Sequence, residues 1–340
     1  MQISQRRTGL HFVIAFIVIL ASSFVSVHAQ DPDETIRIDS DLVDLKVSVL
    51  GHSAKAIGQT LKQDDFAVYE DGKPQDIAFF AAADAPFDLV LLLDLSGSNS
   101  RKLKMLRNSA KRFVDAARPI DRIALVTFTD RPALYSSFTL DRKKLKKAID
   151  QMDDASGGTN FWDALNYVLT EMVVQGPGSH RSAIVVMTDG IDNALEGVPG
   201  PGSMITFEAL LQNIRDSESV IFPIYLDTES EIVKDYKRFH VSSENFATAR
   251  QQLSEIATIC ATNVYKAAKL TDLDQVYDQV IRDLSTVYSI GYRPSNTFLD
   301  GKWRSVEVKI PQHPDLFART RRGYFAKLDS ETATPPGNQK

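Results

Sequence analysis

The sequence has very few cysteines and histidines, and it has no concentrated positive charge. Cys260 is the single cysteine among 340 residues, which excludes an internal disulfide and leaves the stability of the fold to its hydrophobic core. The six histidines are scattered and form no pair at metal-binding spacing. A formal net charge of -5 and the absence of a long basic run argue against a protein that binds nucleic acid.

Long apolar runs are also rare, and the one that nearly reaches membrane-spanning length lies at the N-terminus. Arg6 and Arg7 precede an apolar stretch that begins at Leu10, and the segment Val27–Ala29 fits the small-x-small pattern of a signal-peptidase site. We therefore predict a signal peptide over residues 1–29, and an uncleaved membrane anchor is the alternative. Both alternatives place the rest of the chain outside the cytoplasm, in the periplasm or the extracellular space.

Residues 30–86 have the pattern of β-strands. Leu45–Val49 alternates apolar and polar residues, which is typical of a strand with one buried face. The strand-like segments Phe66–Tyr69 and Ile77–Phe80 flank Asp71-Gly72, a strong signal for a hairpin turn. These residues are predicted to form a small antiparallel unit, the N-terminal β segment.

The same alternation returns near the C-terminus. The strand-like stretches there are Val287–Tyr292, Ser305–Ile310 and Ala318–Phe325. We expect residues 286–327 to form a C-terminal β segment that pairs with residues 30–86. The last residues, 328–340, are polar and contain proline, and we expect them to be disordered.

The middle of the chain, residues 87–285, alternates continuous apolar runs with helix-like segments. The apolar runs are Leu89–Leu93, Ile123–Phe128, Ala183–Met187 and Val220–Leu226. Such runs are expected of strands that are buried on both faces of a parallel sheet. The alternation predicts an α/β domain with a doubly wound, mostly parallel sheet, similar to a Rossmann fold. Because insertions are tolerated where chain ends lie close together, we expect this domain to be inserted in a small composite β domain formed by the two β segments.

Three loops of this α/β domain carry hard oxygen donors at the carboxyl ends of predicted strands, where doubly wound sheets bind ligands. Asp94 ends the first buried strand and is followed by Ser96 and Ser98. Thr159 follows two glycines directly before a predicted helix, and Asp189 ends another buried strand. Carboxylates with hydroxyls, but without histidine or thiolate, suit a hard ion such as Mg²⁺, or less specifically Mn²⁺ or Ca²⁺. Because Mg²⁺ keeps several positions for water when protein ligands are few, the site is expected to accept an outside carboxylate.

In their order and loop positions, these five residues resemble the metal-ion-dependent adhesion site of von Willebrand factor type A domains. The resemblance covers about residues 87–285, and every position of the motif is present. It implies that Ser96 and Ser98 coordinate the cation directly, and that Thr159 and Asp189 exchange between direct and water-mediated contact. The flanking segments LVDLKVSVLG, LKQDDFAVYEDGKPQDIAFF and YSIGYRPSN are similar to those of exported bacterial proteins that carry this domain between β segments.

Other polar residues near these loops have plainer interpretations. Asp192 and Asn193 are interpreted as part of a solvated loop, with a supporting role at the metal site as the alternative. Asp130 is interpreted as part of a surface turn, and a place at the rim of the site is its alternative. The segment Gly197–Gly202 is predicted to be a loop beside the site.

These features predict a binding module rather than an enzyme. A cation with an open position can capture an acidic side chain of a partner protein, which predicts a divalent-cation-dependent adhesion or scaffold module. A metal-dependent hydrolase is disfavoured because the sequence has no histidine near the loops, no G-x-S-x-G nucleophile elbow and no phosphate-binding glycine motif. A structural envelope protein, in which the metal only holds loops together, is a further alternative. No nucleic-acid partner is expected, and no membrane contact apart from the possible N-terminal anchor.

Overall fold

A six-stranded, mostly parallel sheet lies at the centre of the structure, which is a computed structural model of the chain. It describes residues 42–51, 60–97, 103–173, 181–217, 219–235, 239–267 and 272–328. The predicted signal peptide, Ser98 and all but the first residue of the predicted disordered tail lie outside these ranges. The described residues belong to one compact unit of the chain, and no helix among them has the length and apolar character needed to span a bilayer.

The strands and helices alternate through the middle of the chain, and strands dominate both ends. The β-strands are β1 (Val43–Gly51), β2 (Ala67–Glu70), β3 (Lys73–Gln75), β4 (Ile77–Ala81), β5 (Phe87–Asp94), β6 (Arg122–Phe128), β7 (Pro132–Thr139), β8 (Arg181–Thr188), β9 (Val220–Leu226), β10 (Tyr265–Ala267), β11 (Val287–Tyr292), β12 (Trp303–Lys309), β13 (Leu316–Arg319) and β14 (Gly323–Phe325). The α-helices are α1 (Leu103–Ala116), α2 (Arg142–Asp150), α3 (Phe161–Tyr167), α4 (Phe207–Asp216), α5 (Glu229–Lys234), α6 (Ser243–Ile259) and α7 (Leu273–Leu284). A 3-10 turn, Gln63–Asp65, precedes β2, and a π-helical turn, Val168–Met172, continues α3.

The large sheet has the strand order β10-β9-β8-β5-β6-β7, and only β7 runs antiparallel to its neighbour. Every residue of β8 and β9 is buried, as is nearly all of β5, which explains their continuous apolar sequences. The predicted α/β class and the mostly parallel, doubly wound sheet are therefore confirmed. The sequence does not predict the edge strand β7, because its residues alternate irregularly between exposed and buried positions.

Alternate residues of β5 pack against opposite layers of helices. Leu89, Leu91 and Leu93 belong to the core that α1, α2 and α7 cover. Val90 and Leu92 belong to the core that α3, α4 and α6 cover. Because helices cover both faces of the sheet, polar side chains that could bind a ligand near the central strands are confined to the loops at the strand ends.

Two four-stranded antiparallel sheets form the rest of the described fold, with the strand orders β13-β1-β11-β4 and β14-β12-β2-β3. Strands from the two ends of the chain are neighbours in both sheets, since β1 pairs with β11 and β13, and β2 pairs with β12. The two sheets share a core that includes Leu45, Val68, Ile290 and Val308. The α/β sheet is thus inserted in a composite β domain, as predicted. The residue boundaries of the domains stay a prediction.

Two details of the β segments differ from the prediction. The Asp71-Gly72 turn joins β2 to β3, whereas the expected partner strand, β4, lies beside β11 in the other sheet. The φ angles of the two turn residues are 47° and 76°, as in a type I′ hairpin turn. The predicted strand Ala318–Phe325 is two strands, β13 and β14, in different sheets. The chain changes sheet over residues 320–322, and alternation alone does not reveal such a change.

The chain crosses from the β sheets to the α/β domain between β4 and β5, and it returns between α7 and β11. A set of three charged residues contacts these two crossings. These residues, Arg118, Asp121 and Arg181, are named the junction cluster. Arg181, the first residue of β8, donates hydrogen bonds to two carbonyl oxygens in residues 83–85 on the first crossing. It also donates to the carbonyl oxygen of Val287 on the second crossing. One side chain therefore ties the two crossings together.

Asp121 supplies the negative charge of the junction cluster. This carboxylate is fully buried, and it accepts hydrogen bonds from the Phe87 N–H at 2.8 Å and from two nitrogens of Arg118 at 2.7 and 2.8 Å. The Arg181 guanidinium lies 3.8 Å from the centroid of the Phe87 ring. Burial lowers the pKa of Arg181 to about 9, and the Arg118 charge adds to this effect while Asp121 opposes it. Arg181 therefore keeps its charge at neutral pH with the help of Asp121.

Candidate metal site

Asp94 and Asp189 lie at the carboxyl ends of two neighbouring parallel strands. Asp94 is the last residue of β5, and Asp189 directly follows β8. The two strands pair up to Leu93 and Met187, so their ends coincide. Asp94 is 0% exposed and Asp189 is 2% exposed. The sheet therefore brings two acidic side chains together in a nearly dry environment.

Each of the two carboxylates is oriented by hydrogen bonds from neighbouring residues. Asp94 accepts from the Ser96 N–H at 2.9 Å and from the Thr188 hydroxyl at 2.7 Å. Asp189 accepts from the Thr228 hydroxyl at 2.7 Å. Both threonines are buried, so the orientation of each acidic side chain is fixed before any ligand arrives.

The electrostatics of this pair favour a cation. Burial, together with the negative charge of Asp189, raises the pKa of Asp94 to about 7, although the hydrogen bonds from Ser96 and Thr188 act in the opposite direction. Two carboxylates that repel each other in a buried site are stabilised by a divalent ion that contacts both. The residues present therefore fit a hard cation.

The remaining ligands of such an ion would be hydroxyls and water. In the part of the chain that the structure describes, no group of three or more histidine, cysteine or acidic side chains is placed to hold a metal ion. Ser96 is 1% exposed on the loop that follows Asp94, and Thr159 is also buried. Ser98 lies outside the described residues, so its place at the site stays a prediction.

The loop that carries Ser96 contacts the loop that carries Thr159. The Gly97 N–H donates to the carbonyl oxygen of Gly157 at 3.2 Å, and the Ser156 N–H donates to the carbonyl oxygen of Leu95 at 3.0 Å. These two backbone hydrogen bonds join the loops directly. The structure thus gathers the described candidate ligands, Asp94, Ser96, Thr159 and Asp189, at one edge of the sheet.

The backbone of Thr159 is held by the loop that follows Asp189. The Thr159 N–H donates to the side-chain oxygen of Asn193 at 3.1 Å, and the Asn193 N–H donates to the carbonyl oxygen of Thr159 at 2.8 Å. The preceding residue is Gly158, and a Cβ there would lie 2.3 Å from the Asn193 amide nitrogen and 2.5 Å from an Asp130 carboxylate oxygen, so a larger residue would displace these two side chains. Asp130 is exposed and accepts from the Gly158 N–H, so it lies at the rim of the site rather than in an unrelated turn.

The interpretation of Asp192 as part of a solvated loop is wrong. Its side chain is fully buried and accepts hydrogen bonds from the N–H groups of Trp162, Ala194 and Ser203, at 3.0, 2.8 and 3.2 Å, and from the Ser203 hydroxyl at 2.7 Å. A carboxylate that satisfies four donors fixes the loop in one conformation. Asn193 is partly buried and holds Thr159, so both residues support the site.

Thr188 and Thr228 both donate hydrogen bonds to candidate ligands, but the sequence indicates the role of Thr188 more clearly than that of Thr228. Thr188 directly precedes Asp189, and its position in the Thr-Asp-Gly motif is a visible signal. Thr228 follows β9 and is 39 positions beyond Asp189 in the chain, so nothing in the local sequence links the two. Only the fold brings that hydroxyl to the carboxylate.

Replacing Asp192 by alanine is expected to lower the free energy of unfolding by about 3 kcal/mol, because several buried donors lose their acceptor. Urea unfolding followed by tryptophan fluorescence measures the change. The matched control is Glu196→Ala on the same loop, whose side chain is exposed, and its effect should stay within about 0.5 kcal/mol. Equal stability of the two variants would show that the loop does not depend on the Asp192 carboxylate.

The comparison with known families agrees with this geometry. Residues 88–279 match the model of the von Willebrand factor type A domain, which is more than half of the chain. The chain therefore belongs to the von Willebrand factor type A domain family. No curated protein matches it significantly over its sequence.

Several solved structures resemble part of this chain at low sequence identity. The von Willebrand factor domain of the type V pili tip protein Mfa5 from Porphyromonas gingivalis is 17% identical, with a TM-score of 0.44, over 58% of this chain and 94% of that one. The conserved hypothetical protein BatB from Bacteroides thetaiotaomicron is 14% identical, with a TM-score of 0.44, over 58% and 98%. Proximal thread matrix protein 1 from the mussel byssus, in a structure with a zinc-occupied adhesion-site motif, is 20% identical, with a TM-score of 0.44, over 62% and 48%. The chain spans about half the length of the mussel protein.

Proposed function

We propose that this protein is a non-enzymatic, divalent-cation-dependent protein-binding module of the bacterial cell envelope or exterior. The observation that carries the proposal is the buried pair Asp94 and Asp189 at the ends of adjacent strands, with hydroxyls on the neighbouring loops. In this proposal Mg²⁺, or Mn²⁺ or Ca²⁺, is held by Asp94, Ser96, Ser98, Thr159 and Asp189. An ion with so few protein carboxylates keeps a position for an outside ligand, and an acidic side chain of a partner protein fits that position.

Binding is favoured over catalysis by the family and by the use of the acidic groups at the site. Domains of this family are typically non-catalytic adhesion modules that bind protein ligands. The carboxylates of Asp94, Asp189 and Asp192 all accept hydrogen bonds from neighbouring residues, so each one has a structural or ligand role. A general base needs a carboxylate or imidazole within reach of substrate, and these three carboxylates are all at most 2% exposed.

Affinity capture from envelope extract tests this function. The full-length protein is expected to retain a specific partner in Mg²⁺, to lose it on addition of EDTA and to recover it when Mg²⁺ is restored. Asp94→Ala should fail to retain the partner while its circular dichroism spectrum stays that of the wild type. Asp154→Ala is the matched control, because that side chain is 95% exposed, and it should capture normally.

The other outcomes separate the alternative functions. Capture that is indifferent to EDTA and to Asp94→Ala would contradict a metal-dependent binding module. Lower stability in EDTA without the loss of a specific partner would indicate a purely structural metal. Turnover of peptides or phosphoesters that disappears in Asp94→Ala would indicate a metal-dependent hydrolase.

A further inference from the structure

We infer that Met204 is a specificity contact of the proposed binding site and packs against an apolar side chain of the ligand that offers the carboxylate. This inference rests on the proposed function. Met204 is 92% exposed, more than any other large apolar side chain among the residues that the structure describes. A single exposed apolar residue is ordinary at a protein surface, so the inference depends on how Met204 is held and where it lies.

The backbone on both sides of Met204 is fixed by buried or partly buried carboxylates. The Met204 N–H lies 3.0 and 2.9 Å from the two carboxylate oxygens of Asp163, and the Ile205 N–H donates to the same group at 3.0 Å. The preceding residue, Ser203, is bonded to Asp192 through both its N–H and its hydroxyl. The side chain is therefore exposed because the backbone presents it to solvent.

The segments that flank these hydrogen bonds are also packed. On the C-terminal side Ile205 packs against the hydrophobic core, and the Thr206 hydroxyl caps α4 by accepting from the Ala209 N–H at 3.2 Å. On the N-terminal side a Cβ on Gly202 would lie 2.2 Å from the backbone nitrogen of Ala194, so the chain passes in close contact there. The backbone of the loop that carries Met204 is therefore held in place on both sides of this residue.

This loop belongs to the edge of the sheet that carries the candidate ligands. Asp163 lies in the first turn of α3, and Thr159 lies two residues before that helix begins at Phe161. Asp192, which holds Ser203, also accepts the Trp162 N–H, and the adjacent Asn193 holds Thr159. These contacts connect the loop that carries Met204 to the loops that carry Thr159 and Asp189, and Met204 is exposed beside them.

The chemistry of methionine indicates the kind of ligand. Its flexible, polarisable side chain packs well against aliphatic and aromatic groups of different shapes. An extended peptide advances about 3.3 Å per residue, so a side chain about three positions from the coordinating carboxylate lies about 10 Å from it, and this is the spacing that we assign to the contact with Met204. The partner is therefore a protein whose contact segment has an acidic residue with leucine, methionine or phenylalanine about three positions away.

Labelled synthetic peptides test this inference by fluorescence polarisation with the full-length protein in Mg²⁺. Each nine-residue peptide has one central aspartate and either phenylalanine, leucine or serine three positions away on either side. The wild type is expected to bind the phenylalanine or leucine peptides about tenfold more tightly than the serine peptide, as burial of two apolar side chains predicts. Met204→Gln should lose most of this preference, bind the serine peptide like the wild type and keep the wild-type thermal midpoint.

The control variants distinguish failure of this inference from failure of the proposed function. Ile120→Gln alters another exposed apolar side chain, before β6 at the opposite end of the sheet, and should keep the full preference. An unchanged preference in Met204→Gln, or no preference in the wild type, would overturn the role of Met204 and leave the metal-dependent binding intact. Peptides that bind equally well with asparagine in place of aspartate, or that bind Asp94→Ala normally, would overturn both, as would the absence of any binding by the wild type.

Discussion

Addition of Mg²⁺ to the chelated protein is expected to raise its thermal unfolding midpoint by about 5 °C at a hundredfold excess over the dissociation constant. An ion that binds only the folded chain stabilises it by mass action, and this excess corresponds to about 2.7 kcal/mol. Asp94→Asn should show no rise, because the variant lacks one of the two buried charges that attract the ion. Differential scanning fluorimetry with EDTA, and then with Mg²⁺ in excess, measures both responses.

In the absence of metal the same variant is expected to be more stable than the wild type at neutral pH. Burial and the charge of Asp189 raise the pKa of Asp94 to about 7, so the folded state binds this proton more tightly than the unfolded chain does. The ionised carboxylate therefore destabilises the metal-free fold. This effect is absent below about pH 4 and grows as the pH rises toward 7. Asparagine keeps an acceptor for the Ser96 N–H without the charge.

Asp94→Asn is thus expected to lose the stabilisation by Mg²⁺ but to be more stable than the wild type without metal. This combination is specific to a metal ligand. A residue with only a structural role would destabilise the protein in both conditions when it is replaced. Asp154→Asn, at an exposed carboxylate, should behave like the wild type with and without Mg²⁺. A full Mg²⁺ response in Asp94→Asn would show that Asp94 does not hold the cation.

Asp121→Ala is expected to lower the free energy of unfolding by about 4 kcal/mol, because it removes the buried negative charge of the junction cluster. Arg118 would lose two hydrogen bonds, the buried Phe87 N–H would lose its acceptor, and Arg181 would face Arg118 with only the smaller opposing effects of Asp84 and Asp44. Urea unfolding monitored by far-ultraviolet circular dichroism gives the change. The Mg²⁺ response of the folded variant should persist, since the junction cluster lies at the other end of the sheet.

A surface ion pair provides the comparison for this variant. Asp150 pairs with Lys111, and its side chain is 60% exposed, so Asp150→Ala should cost less than about 1 kcal/mol. A loss as small as this in Asp121→Ala would mean that the buried arginines do not depend on the carboxylate.

Strong, continuous patterns in the sequence predict the centre of the fold, and weak or distant signals do not. β5 and β8 are predictable because strands buried on both faces need long apolar runs. The edge strand β7 has no such requirement and is missed. The Asp71-Gly72 turn is predictable from its residues, but its partner strand is not, because β3 is only the three residues Lys73–Gln75, includes a proline and lacks the composition of a strand, whereas β4 has that composition and lies in the other sheet.

The candidate site shows the same division. Asp94 and Asp189 can be predicted because they end apolar runs whose ends must meet in a parallel sheet. The role of Asp192 cannot, since an acidic residue in a polar loop is usually solvated, and its four donors come from three separate segments. Thr228 is brought to Asp189 by the fold alone.

The arrangement of β1 determines how the fold responds to tension between the α/β domain and the N-terminal end of β1. The second crossing leads directly into β11, so tension from the α/β domain enters the β sheet through that strand. β1 lies between β11 and β13 and is antiparallel to both. A pull on the N-terminal end of β1 therefore loads two ladders of hydrogen bonds in shear, where many bonds must break together. The fold is therefore expected to resist a pull along β1 far better than a pull that separates the strands from a sheet edge, one hydrogen bond at a time.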